Sequence, residues 1–186
     1  MSFTWTAHRF SGGALALDVA NSVVLRFDPQ RRIDRFADER AIDSFAEAAN
    51  LHGCEKQRFG RLGPIAPERR ASLIDLREAT DRHFRALVRD EDRPELLADL
   101  LEAIAAVVRR PGDGGGYIAL DVATAHSALS LVANPEPDRL KICPNCEWLF
   151  LDRSRNRSRT WCDMAVCGNR TKAKRHYRRS KQETQP

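Results

Sequence analysis

The sequence predicts a mainly α-helical protein: a helical N-terminal domain over residues 1–134, then a small C-terminal four-cysteine unit ending in a basic helix. Three observations carry this. Apolar residues recur at helical spacing through most of the first 134 positions, and four of the five cysteines fall between Cys143 and Cys167. Charge also divides along the chain. From Arg139 to Lys181 there are 13 Lys or Arg against Glu147, Asp152 and Asp163, whereas Met1–Asp138 carries 18 basic and 22 acidic residues.

The elements follow in order. Ala14 to Leu25 is an apolar run of helical length. Asp38 to Leu51 places Ile42, Phe45, Ala46 and Ala49 on one face and stops at Gly53. Pro67 to Val88 opens on proline and stacks Leu73, Leu76, Thr80, Phe84, Leu87 and Val88 into one stripe. Pro94 starts the next helix, which runs to Arg109 and Arg110. Gly112 to Gly116 is a connector, and without a following GK[ST] it is not a phosphate-binding loop. Tyr117 to Val122 reads as a short strand and Ala123 to Val132 as a helix, broken by NPEPD. Pro135 and Pro137 stand where the composition turns basic. This marks a hinge at 135–139, the four-cysteine unit at 140–181 and a disordered tail at 182–186.

At 186 residues and 21.0 kDa the chain is long enough for a proper core without disulfides. MSFTWTAHRFSGG carries no basic leader, and ALALDVANSVVL is too short and polar to span a bilayer, so no membrane association and a cytoplasmic protein are expected. In a reducing compartment clustered cysteines point to metal. The pattern is Cys143, two residues, Cys146, fifteen residues, Cys162, four residues, Cys167. A C-x2-C turn supplies two thiolates and a later pair closes a tetrahedron, so one structural zinc on these four cysteines is expected. Reduced thiols packed as small hydrophobes or an iron–sulfur cluster are the alternatives, and His176 could stand in for a ligand. Four protein ligands leave no open position, which disfavours chemistry at the metal. No paired-carboxylate, Ser/His/Asp or Cys/His pattern argues for an enzyme.

DRLKICPNC, WLFLDRSRNRSRTWCDMAVCGNR and KAKRHYRR together resemble the CGNR zinc finger, whose tetrad is here Cys167, Gly168, Asn169 and Arg170. LALDVANS, Leu15 to Ser22, is similar to the opening of the ABATE domain that precedes this finger in bacterial proteins described as stress-induced transcription regulators. The family usually has a larger apolar residue and a threonine where this chain has Ala20 and Ser22. The resemblance implies DNA binding, transcription regulation and a role in stress response.

The residues themselves agree with that implication. Arg153, Arg155, Arg157 and Arg159 alternate in the loop between the cysteine pairs, and a helix after Cys167 would set Arg170, Lys174, Tyr177 and Lys181 along one face. The expected contacts to double-stranded DNA are Arg153, Arg155, Arg157, Arg170, Lys172, Lys174, Arg175, Arg178 and Arg179. Arg159, paired with Asp152, and Arg170, beside a ligand, could instead brace the finger. RNA binding and a protein-interaction module are the rival functions. In the body, Asp18 and Asn21 are polar groups three apart in an apolar helix. They are candidates for a small-molecule effector pocket, or for bonds to a neighbouring loop or to Arg139. His83 and His126 read as packed histidines. A homodimer through the N-terminal domain is a further expectation.

Overall fold

The computed structural model describes residues 3–109, 116–173 and 177. It is mainly helical, with α1 Leu15–Ala20, α2 Glu39–His52, α3 Lys56–Phe59, α4 Arg70–Arg89, α5 Pro94–Val108 and α6 Leu120–Ala133. Strands are short and pair in twos. Antiparallel β1 Val23–Val24 and β2 Ile33–Asp34 follow α1, and β3 Leu62–Gly63 pairs in parallel with β4 Ile118–Ala119. Antiparallel β5 Leu140–Ile142 and β6 Leu149–Leu151 form a hairpin.

The long helices start and stop as their sequences dictate. Asp38 caps α2 by accepting from the Arg40 N–H, Gly53 ends it, and Pro94 opens α5. A 3-10 turn, Pro67–Arg69, precedes α4, and Asp90 ends it in the left-handed conformation. Two segments depart from expectation. α1 stops at Ala20, where Asn21 caps it; β1 follows directly, and Leu25, at φ 48°, turns the chain out of β1. The stretch expected as a strand over 117–122 is extended only at Ile118–Ala119, and Leu120–Val122 already belong to α6, whose first turn Asp121 enters as the buried partner of Arg69 at 2.8 Å.

Among the described residues the helices build two apolar cores, beside a third buried cluster around the cysteines. One gathers Trp5, Phe10, Phe36 and Phe45 around α2, with the Trp5 indole N–H donating to the Ala41 carbonyl at 2.8 Å. The other joins Leu17, Leu76, Phe84, Leu100, Val107 and Ala125 from α1, α4, α5 and α6, and it includes Leu140, Leu149 and Leu151 of the hairpin. The hairpin that carries the first cysteine pair is therefore part of the body's own core. The chain turns at 135–139, yet leucines on both sides of the turn belong to the same apolar cluster. His83 is buried, whereas His126 is exposed: α6 turns that position to solvent and buries Ala125, Ser127 and Ala128 instead. The tail expected at 182–186 and His176 lie outside the described residues.

Candidate metal centre

The first cysteine pair sits at the tip of the β5–β6 hairpin. Cys143 N–H donates to the Trp148 carbonyl and Glu147 N–H to the Cys143 carbonyl, both at 2.8 Å, and Glu147 adopts φ 63° so that the turn can close. The second pair is set by Asp163. Its carboxylate accepts from Val166 N–H at 3.1 Å, and its carbonyl accepts from Cys167 and Gly168, holding Met164–Gly168 as a π-helical turn before helical residues 169–173.

Between the pairs runs the arginine loop, organised by Asp152. This fully buried carboxylate accepts from Ser154 N–H at 2.9 Å, Arg159 N–H at 2.8 Å and Lys141 Nζ at 2.8 Å. Burial alone would raise its pKa, but these donors hold it well below the ordinary carboxylate range.

All four cysteine sulfurs are buried and lie within 4.8 Å of one another. Cys146 to Cys162 is 3.6 Å and Cys162 to Cys167 is 3.7 Å. A zinc ion with Zn–S bonds of about 2.3 Å places its sulfurs about 3.8 Å apart, so the ligand set fits one tetrahedral ion. An iron–sulfur cluster would hold the thiolates further apart around its inorganic core. The electrostatics agree. Hydrogen bonds from Cys146 and Cys162 pull Cys143 down, while the bonds to Cys143 push Cys146 and Cys162 up and burial adds to it. Four crowded thiols cannot all ionise without a cation among them. One structural zinc, held by Cys143, Cys146, Cys162 and Cys167, meets this requirement and leaves no coordination position open to substrate.

With this geometry in view, the family comparison is decisive for the C-terminal unit. Residues 139–180 match the family of the CGNR zinc finger. No curated protein is similar enough to the chain to match it.

The finger's surroundings come from the far end of the sequence. His8 Nδ1 lies 3.0 Å from the Asp163 carboxylate, and the His8 ring stacks at 5.3 Å on Trp148. The Arg9 guanidinium lies 5.4 Å from the Trp148 ring centre. The Ser11 hydroxyl is buried, without a hydrogen-bond partner among the described residues. Leu151 N–H donates to the Gly12 carbonyl at 2.8 Å, and Gly13, at φ 79°, lies so close that a Cβ there would meet the Leu151 Cβ at 3.1 Å. Nothing in the periodicity of the sequence marks His8 or Arg9 as neighbours of the metal. The adjacent Gly12–Gly13 pair, which permits close backbone approach, is the one local signal.

The basic residues divide. Arg153 pairs with Glu136 and Arg157 with Asp138, each at 2.6 Å, while Arg159 donates to the Cys162 carbonyl. Arg159 thus braces the second cysteine pair, and Asp152 takes its backbone N–H and the Lys141 ammonium in place of its guanidinium. Arg139 bonds the Asp152 and Ser154 carbonyls at 2.8 and 3.1 Å. Arg155, Arg170 and Lys172 are exposed, with no acidic partner among the described residues. Lys174, Arg175, Arg178, Arg179 and Lys181 lie outside the described residues.

Asp18 and Asn21 are close in sequence yet meet different partners. Asn21 bonds the hairpin: its amide donates to the Leu149 carbonyl at 2.8 Å and its oxygen accepts from Leu149 N–H at 3.0 Å. Asp18 accepts from Gly12 N–H at 2.8 Å, and its other oxygen is buried without a hydrogen bond. Burial holds its carboxyl well above the ordinary range, with the charge of Glu55 adding to the effect and the Gly12 N–H opposing it. The space beside Asp18 is about 10 Å³, room for a water at most, and Asn21 does not line it; both side chains are engaged in the fold, each with its own partner. Cys54, at the edge of that space, has a thiol pushed up to about 12, first by desolvation and then by Asp18 and Glu55, which argues against a thiolate nucleophile.

Proposed function

We propose that the protein is a DNA-binding transcription regulator whose zinc fixes a cationic surface on the finger and whose helical body supports and regulates it. The observation that carries this reading is the contrast among the basic residues. Arg155, Arg170 and Lys172 are exposed beside the metal-ordered turns without an acidic partner among the described residues, whereas the likewise exposed Arg153 and Arg157 pair with Glu136 and Asp138, and Arg159 bonds the Cys162 carbonyl. Lys174, Arg175, Arg178 and Arg179 extend the basic sequence. Such a row suits phosphates, whose neutralisation releases counterions and makes affinity fall with salt. The N-terminal resemblance to ABATE-containing stress regulators supports the same reading.

The test titrates zinc-loaded protein against labelled duplex DNA and single-stranded RNA across a salt series. The duplex should bind with a log–log salt slope of several units, and Arg170→Glu with Lys172→Glu should flatten that slope by roughly one to two units. Arg157→Glu, at an arginine whose charge is already paired with Asp138, should flatten the slope less than the double variant does. A preference for RNA would favour the translational alternative. Unchanged binding in the double variant would move the finger to the protein-interaction reading.

A further inference from the structure

The body does not pack completely against the hairpin. Between α4, α6, the turn at 135–137 and strands β5 and β6 lies a cavity of about 360 Å³, within the size range of small-molecule sites. Its walls are apolar: Phe84, Val88 and Leu131 from the helices, Leu140 and Leu151 from the finger hairpin. A larger groove of about 650 Å³ runs past Arg26 and Arg85, but those cations already pair with Glu78 and Asp81.

Among the described residues, three polar side chains line the apolar cavity, and no Lys or Arg does. Glu136 is neutralised by Arg153 at 2.6 Å and Arg139 at 3.3 Å. His83 is 4% exposed, and its Nδ1 has no hydrogen-bond partner among the described residues. Asp92 Oδ1 stands 3.8 Å from that nitrogen, beyond hydrogen-bond reach, and Asp92 has no other ion-pair partner among the described residues. The site therefore combines an apolar floor with one uncompensated carboxylate at its mouth. An anionic guest would meet acids and no cation, whereas a cation would complete Asp92.

We propose that this cavity binds a compact apolar molecule bearing a protonated amine, with the ammonium on Asp92 and the hydrocarbon against Phe84, Leu131 and Leu151. Because Leu140 and Leu151 form one wall, occupancy stabilises the docking of the finger on the body. The proposal stands whether or not the finger binds nucleic acid.

The experiment uses the full zinc-loaded chain, without nucleic acid, and four probes: phenethylamine, isoamylamine, phenethyl alcohol and phenylacetate. Thermal shift and calorimetry should show that the amines bind, that the alcohol is weaker than phenethylamine by about tenfold, and that phenylacetate gives no shift. Hydrogen exchange should show protection by the amines over 131–151. Asp92→Asn, at a half-exposed position, should remove the preference for amine over alcohol, and Val132→Trp should fill the space and abolish binding. No binding by either amine, equal binding by phenylacetate, or protection confined to other segments would overturn the assignment.

Discussion

Asn21 and Leu149, 128 residues apart, exchange two hydrogen bonds, the amide of one satisfying both backbone groups of the other. Both residues are buried, Asn21 at the end of α1 and Leu149 at the start of β6. The pairing mimics a strand partner for a hairpin that has none on that side, and it ties the zinc-bearing hairpin to the body. Asn21→Ala leaves a buried N–H and a buried carbonyl unpaired, which should cost about 2–4 kcal/mol in denaturant unfolding. The same variant should release zinc faster to a competing chelator. Unaltered stability would show the two bonds to be dispensable.

Metal removal should reach beyond the finger. Trp148, Leu149, Phe150 and Leu151 connect the cysteine cluster directly to the helical core, so the free energy of zinc binding, on the order of 10 kcal/mol, supports both. Cys162→Ser, or chelation of the wild type, should lower the melting temperature of the helices followed by far-ultraviolet circular dichroism, in step with tryptophan fluorescence. A body that melts at its original temperature after metal loss would argue for two independent units.

Asp18 gives a pH signature. Its folded-state pKa is raised, so its favourable contribution is fully present below the unfolded value of about 3.9 and is lost as pH rises through the folded value. Asp18→Asn keeps an acceptor for Gly12 N–H and removes the ionisation. It should therefore melt higher than wild type near neutral pH, by about 2–4 °C for each kcal/mol recovered, and the advantage should shrink as pH falls. Comparing the two proteins at each pH cancels the protonation of the cysteines, which affects both. A variant advantage that does not depend on pH would contradict the raised carboxyl.

Gly13 tests how closely the N-terminal segment is fitted to the finger. At φ 79° a side chain is strained, and a Cβ would press on Leu151 at 3.1 Å. Gly13→Ala should destabilise by about 1–2 kcal/mol from the backbone alone. Loss of the His8–Asp163 contact, read from the His8 ring resonances, should accompany it. An alanine variant with wild-type stability and unshifted resonances would show that the segment relaxes freely.

The sequence by itself determined the helical class, the limits of α2 and α5, and the four metal ligands, because caps, prolines, 3.6-residue periodicity and cysteine spacing are local signals. It also located the basic segment. It did not show which arginines stay free: Arg153 and Arg157 look like Arg155 in sequence, and only the approach of Glu136 and Asp138 separates them. It read Asp18 and Asn21 as one polar pair, although helix α1 ends between them and sends each to a different partner. Above all, the prolines at 135 and 137 suggested a hinge, while the fold buries Leu140, Leu149 and Leu151 among helices α1, α4, α5 and α6. Such docking depends on shape and on partners more than a hundred residues away. No local pattern encodes it, and only the tertiary structure decides that body and finger share one core.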